Sequence, residues 1–235
     1  MNGAGSVSAI IFNHIPFQIE LAPLTEKLRV RGDSKHVDDL ERMVKEAQSV
    51  GKPKAMYKAA FLDSRGEDHV VVNGVTLTSR VLSVNLKNAY RVFPYVATCG
   101  RELDDWSKCM DDMLARYWAD TIKEVVLRCA LGAVGEHLAE KFRPGKTSRM
   151  SPGSLEDWPI EEQRPLFSIL GNTEGAVGVH LTDSLLMIPT RSVSGIFFPT
   201  ETSFESCQLC AREKCPGRRA PYDSGLYDRK YRKRN

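Results

Sequence analysis

Two short stretches of the 235-residue sequence carry residue types suited to chemistry. In FESCQLCAREKCPGRRAPYD, residues 204–223, Cys207, Cys210 and Cys215 follow the spacing C-x2-C-x4-C and make up three of the six cysteines. C-x2-C is the bite used at both zinc and iron–sulfur centres, and four residues to the third thiol let one loop fold three sulfurs round one centre. A closed zinc site or a cuboidal cluster normally needs a fourth ligand. Cys99, in ATCG, is the best internal candidate. Cys109 and Cys129 fall on the apolar side of a helical pattern, where a buried free thiol is the default. Three readings stay open: an iron–sulfur cluster serving as an electron source, a zinc that staples the loop, and three free thiols.

The second stretch is SRMSPGS, residues 148–154. Pro152 and Gly153 suit a tight turn that brings backbone groups up to a ligand. Arg149, just ahead of it, offers a planar fork matched to a carboxylate. The plain alternative is a surface turn with a solvated arginine. TRSVSGIFF, residues 190–198, sets Ser194 and Gly195 before Phe197 and Phe198. A glycine in a strand marks a close approach of backbone and ligand, and an aromatic beside it stacks on a flat ring or fills the core.

The surrounding pattern mixes helices and strands. Residues 38–49 place Leu40, Met43, Val44 and Ala47 on one face, which predicts a helix stopped by Gly51 and Pro53. KAMYKAAFLD and DHVVVNGVTL read as strands, SRVLSVNL as a short helix, and AYRVFPYVATCG as a β-rich run. A beat of about 3.6 residues from Trp106 to Cys129 predicts one long helix over residues 104–142. Gly132 and Gly135 within it would let another backbone pack closely. DWPIEEQRPLFSILG reads as a helix capped by Asp157 and stopped by Gly171. AVGVHL and SLLMIP read as strands around a turn, with SVSGIFFP following. Without a regular strand–helix–strand alternation, the fold class is α+β.

Composition narrows the function classes. With 42% apolar and 27% charged residues the chain is of the soluble globular type. A net charge of +3 is too small to argue for nucleic acid. The basic excess sits in DRKYRKRN, residues 228–235. It reads as a solvated end or a dock for an acidic partner, ahead of weak nucleic-acid binding through interleaved tyrosines. The first 20 residues lack the basic region of a signal peptide, and no apolar run approaches the roughly 18 residues that cross a bilayer. A cytoplasmic protein with no membrane partner is expected, where clustered cysteines more often hold metal than form disulfides. His14, His36, His69, His137 and His180 are scattered, and each reads as structural or solvated.

SRMSPGSLEDWPIEEQRPLFSIL followed by GVHLTDSLLMIPTRSVSGI resembles the activation (reactivation) domain of cobalamin-dependent methionine synthase, in its stand-alone bacterial form. The shared features are an R-x-x-P-G turn, a helix with a glutamine and an aromatic, and a P-x-x-S-V-S-G strand, clear over residues 145–198. The resemblance implies a single domain with a twisted antiparallel sheet and long helices over residues 1–204. Residues 205–219 then form a cysteine-rich motif and 220–235 a basic, flexible tail. It also implies a shallow S-adenosylmethionine site, with Arg149 on the methionine carboxylate, Ser151 and Gly153 presenting backbone groups, Ser194 and Gly195 nearby, and Glu136 on the long helix. The family's tyrosines fall at Ser154 and Phe197, so two phenolic hydroxyls are missing. The implied activity is reductive methylation of cob(II)alamin carried by a partner, a corrinoid methyltransferase such as a shortened methionine synthase core. Flavodoxin or ferredoxin is the implied electron donor. The alternatives are an iron–sulfur electron carrier for a corrinoid protein and a non-catalytic, zinc-stapled adaptor.

Overall fold

The computed structural model describes residues 8–30 and 35–233. In chain order the elements are β1 (Ile10–Phe12), α1 (Leu21–Leu28), α2 (Lys35–Val50), β2 (Lys54–Tyr57), β3 (Ala60–Arg65), β4 (His69–Val72), β5 (Val75–Thr78), α3 (Arg80–Asn85) and β6 (Arg91–Thr98). There follow α4 (Arg101–Lys108), α5 (Met113–Phe142), β7 (Thr147–Met150), α6 (Gln163–Leu170), α7 (Thr173–Val177), β8 (His180–Leu181), β9 (Met187–Ile188) and β10 (Ser192–Pro199). Single turns at Ser206–Gln208 and Tyr227–Tyr231 complete the described residues.

Eight strands form one antiparallel sheet, ordered β1-β2-β6-β3-β4-β5, with β10 on the other edge of β6 and β7 outside β10. Strand β6 is the hub. Seven of its eight residues are buried, as its unbroken apolar run requires of a strand covered on both faces. It nevertheless contains Pro94. In a strand the N and O of one residue point to the same edge, and the Pro94 carbonyl accepts from Lys58 N at 3.0 Å. The missing N–H therefore faces the break between β2 and β3, where no ladder bond is due. That break is why KAMYKAAFLD is two strands. DHVVVNGVTL is a hairpin because Asn73 and Gly74 both take positive φ, 47° and 77°, which a two-residue turn of twisted strands demands.

The sheet lies between two helical layers. On one face the second half of α5 places Ala130, Val134 and Leu138 against Tyr57, Phe93, Tyr95 and Phe197. On the other, α3, α6 and α7 bury Trp158, Leu82, Leu166 and Leu170 against Val96, Ile196 and Phe198. A third cluster joins α1, α2 and α4 to the first half of α5 around Leu40, Leu103, Trp118 and Ile122.

The expected single helix over residues 104–142 is two. Asp112 stops the first from running on by capping the second, its carboxylate accepting from Ala115 N at 2.9 Å. Cys109 falls in the break and is exposed, so it is not the buried thiol expected. Asp157 caps a different helix from the one assigned to it: it accepts from Val81 N at 2.9 Å and from the Ser79 hydroxyl, at the start of α3. The basic tail was expected to be flexible; its last two residues lie outside the described ones, but Tyr231 is fully buried. Its ring meets Phe204 edge-on at 6.1 Å, and its hydroxyl donates to Asn85 at 2.8 Å. Burial of one aromatic ring outweighs the entropy of holding a short, charged tail.

Gly132 and Gly135 do not admit a neighbouring backbone, since a Cβ on either would meet nothing within 4 Å. They only weaken α5. Gly132→Ala is expected to raise stability by about 0.5–1 kcal/mol in urea denaturation; a loss would show that something packs there.

Candidate ligand-binding site

The site grows out of β7, β10 and β6. Register sets Arg149 opposite Phe197 and Gly195 opposite Tyr95. Opposed residues share a face, so the Arg149 guanidinium stands 5.9 Å from the Phe197 ring centre, and the Tyr95 and Phe197 rings lie 4.7 Å apart. Gly195 is required here. A Cβ would come within 2.3 Å of the Met150 carbonyl, 2.8 Å of Ser151 Oγ and 2.9 Å of the Tyr95 hydroxyl. The chain then turns at Ser151–Ser154, with Ser154 N donating to Ser151 O at 3.1 Å. Pro152 fixes one corner and Gly153, with φ 77°, the next. Ser154 Oγ donates back to Ser151 O at 2.6 Å and reaches Ser206 Oγ at 3.3 Å.

These residues open onto a cavity of about 360 Å³. Its far wall is one face of α5, with Glu124, Leu127, Arg128 and Leu131, and its rim is Pro216–Arg219. Three of its four arginines are engaged. Arg128 pairs with Glu124 at 2.6 Å and Arg219 with Glu205 at 2.8 Å, while Arg218 donates to the carbonyls of Cys207 and Cys210 at 3.0 and 3.1 Å. Arg149 has no ion pair among the described residues, a half-buried cation left for an anion from outside. Beside it the Tyr95 hydroxyl is buried next to Ser151, without a hydrogen bond of good geometry among the described residues. Burial pushes that phenol up, which keeps its proton in place as a donor.

The start of β10 is pinned by charge. Asp104, almost fully buried on α4, accepts from Lys123 Nζ at 3.1 Å and from Thr190 Oγ1 at 2.8 Å. Arg191 donates to Asp120 through Nε at 2.9 Å and holds that carboxyl below its ordinary range, against partial burial.

Of the residues singled out in the sequence, Arg149, Ser151 and Ser154 line this cavity. Phe197 backs Arg149, and Gly195 lies beneath Ser151 and Tyr95. Gly153 faces a second cavity of about 620 Å³ across the turn, shared with Cys210 and Tyr227. Ser194 points to the opposite face of the sheet, since it alternates with Gly195, and its hydroxyl is buried there without a partner among the described residues. Glu136 is not at the cavity. It lies in a separate groove with Ile15, Cys129 and His137, five residues past Leu131 and so rotated off the lining face. The acid on the cavity is Glu124. The sequence does not mark Tyr95, because its strand reads as plain core; the one signal is its place in the alternation Phe93, Tyr95, Ala97.

A family model, vitamin B12 dependent methionine synthase, activation domain, matches residues 90–214, more than half of the chain. The chain belongs to that family. A solved structure, "Crystal Structure of the MetH Reactivation Domain bound to AdoHcy", aligns with a TM-score of 0.59 at 15% identity, covering 85% of this chain and 81% of that one. The likeness is one of fold: mixed helices and strands around a curled antiparallel sheet. No curated protein matches the chain. The activation-domain match ends before Pro216–Arg219, so one rim of the cavity is built by chain beyond it.

The cysteines of this activation domain do not gather. Cys207, Cys210 and Cys215 are half-buried free thiols, and no three His, Cys, Asp or Glu side chains among the described residues form a metal-ligand set. The loop closes instead around Arg218, which collects the carbonyls of Cys207, Cys210, Arg212 and Ala220. Cys207 Sγ accepts from Arg219 N at 3.4 Å. The expected fourth ligand, Cys99, is fully buried in the helical cluster; burial pushes its thiol up to about 12, and Sγ donates to Gly100 O at 3.6 Å. As it stands the donor set fits neither a closed zinc site nor a cuboidal cluster.

Because Gly195 leaves no room for a side chain, Gly195→Ala is expected to force β7 off β10 and cost roughly 1–3 kcal/mol in chemical denaturation. An unchanged midpoint would mean that the strands are not held this close.

Proposed function

We propose that the chain binds S-adenosylmethionine in the cavity beside Arg149 and serves the reductive methylation of cob(II)alamin carried by a partner protein, a corrinoid methyltransferase such as a shortened methionine synthase core. Arg149 carries the reading: it is a guanidinium without an ion pair among the described residues, at a turn whose hydroxyls also face the cavity. It would take the carboxylate of the amino-acid end, with Ser151 and Ser154 as further polar contacts. The adenosyl part would run between α5 and the Pro216–Arg219 rim. The reaction adds one electron to cob(II)alamin and moves the sulfonium methyl to the reduced cobalt, leaving S-adenosylhomocysteine. The chain's part is to orient the methyl and exclude water. AdoHcy in the solved relative of the same fold supports the choice of ligand class. A cytoplasmic setting and a flavodoxin or ferredoxin as reductant belong to the same proposal. Among the described residues no helix is long and apolar enough to cross a membrane.

The cysteine loop is part of this reading as a wall, not as a cofactor. Zinc or iron–sulfur bound to Cys207, Cys210 and Cys215 would need the three thiols to turn inward and a fourth ligand from elsewhere, and no step of the proposed function passes through either.

Calorimetric titration tests the site. Wild type is expected to release heat with S-adenosylmethionine, and Arg149→Ala to weaken binding by roughly 10- to 100-fold through loss of a charge-assisted contact; a silent wild type would refute the ligand. A second titration tests the wall. Treatment with a chelator is expected to leave binding unchanged, whereas Arg218→Ala, which frees the loop carbonyls, weakens it. Loss of binding on chelation alone would return the thiols to a metal.

A further inference from the structure

From the geometry we infer that Tyr95, on the central strand β6, is a second anchor for the ligand's carboxylate, working beside Arg149. The inference rests on the ligand proposed above. Tyr95 is fully buried and lines the cavity, and among the described residues its hydroxyl has Ser151 as a polar neighbour but forms no hydrogen bond of good geometry. A buried donor without a well-placed acceptor is unfavourable, and a ligand acceptor would remove that cost. The hydroxyl sits above Gly195 with Ser151 Oγ, both within 3 Å of where a glycine Cβ would stand. The Tyr95 ring is held against Phe197, the ring over which the Arg149 guanidinium lies. Guanidinium, phenol and serine hydroxyl are thus three donors brought to one end of the cavity. The guanidinium can only donate and the two hydroxyls can each give a proton, so an anion with two oxygens suits the group, and the amino-acid carboxylate has them. The opposite residue being glycine leaves the space through which the phenol reaches the turn.

The test compares Tyr95→Phe with wild type and Arg149→Ala in binding S-adenosylhomocysteine and 5′-methylthioadenosine, which has the nucleoside and sulfur but no amino-acid end. Phenylalanine keeps the ring, so Tyr95→Phe is expected to melt at or above the wild-type temperature, because a buried unpaired donor is gone. Its affinity for S-adenosylhomocysteine is expected to fall about tenfold, with 5′-methylthioadenosine bound as by wild type. An equal loss for both ligands, or no loss for either while Arg149→Ala still weakens S-adenosylhomocysteine, overturns the role of Tyr95 and leaves the site standing. A wild type that binds neither ligand overturns the site and this inference together.

Discussion

The structure depends on how closely β7 and β10 approach at Gly195. With a Cβ excluded at 2.3 Å from the Met150 carbonyl, the two backbones and the Tyr95 hydroxyl occupy one small volume. From that contact the rest follows. The register puts Arg149, Phe197 and Tyr95 on the face that looks toward α5, and the turn after β7 swings Ser151 and Ser154 to the same side. The cation and the two aromatic rings are positioned by sheet geometry, and the serine hydroxyls by the tight turn that leaves it. A site built on strands is held to tighter tolerance than one carried on loops alone.

Around that contact, polar groups do what apolar packing cannot: they fix direction. Asp104, Lys123 and Thr190 form a nearly dry cluster, and Arg191 grips Asp120, so the entry to β10 is tied to both α4 and α5. Lys123 and Asp104 would each be costly to bury alone. Together they couple the helical cluster to the strand that carries Gly195. The C-terminal arm is tied in the same manner. Arg218 gathers loop carbonyls, Tyr231 and Phe204 anchor the arm on the opposite side of the sheet, and Pro216–Arg219 are left at the cavity rim.

The cysteine loop carries a sequence pattern that admits more than one arrangement. C-x2-C-x4-C is short enough to wrap three sulfurs round an ion, but a loop of that size can also turn its carbonyls inward. Arg218 supplies donors in a fixed fork for those carbonyls, and the thiols stay at intermediate exposure.

Local chemistry in the sequence determined a good deal. Asn73-Gly74 set a hairpin and Pro152-Gly153 a tight turn, because few residues tolerate those angles; Leu40, Met43, Val44 and Ala47 marked the buried stripe of α2; and the R-x-x-P-G and S-V-S-G segments pointed to the strands that build the site. Only the tertiary structure decided the partners. It removed Glu136 and Ser194 from the cavity by helical rotation and strand alternation, and brought in Glu124, Tyr95 and the Pro216–Arg219 rim. It gave the Asp157 carboxylate to α3 and buried Tyr231. Turns and caps are governed by neighbours in the chain, so the sequence displays them; which side chains share a cavity is governed by register and rotation among segments far apart in the chain, and packing alone sets those.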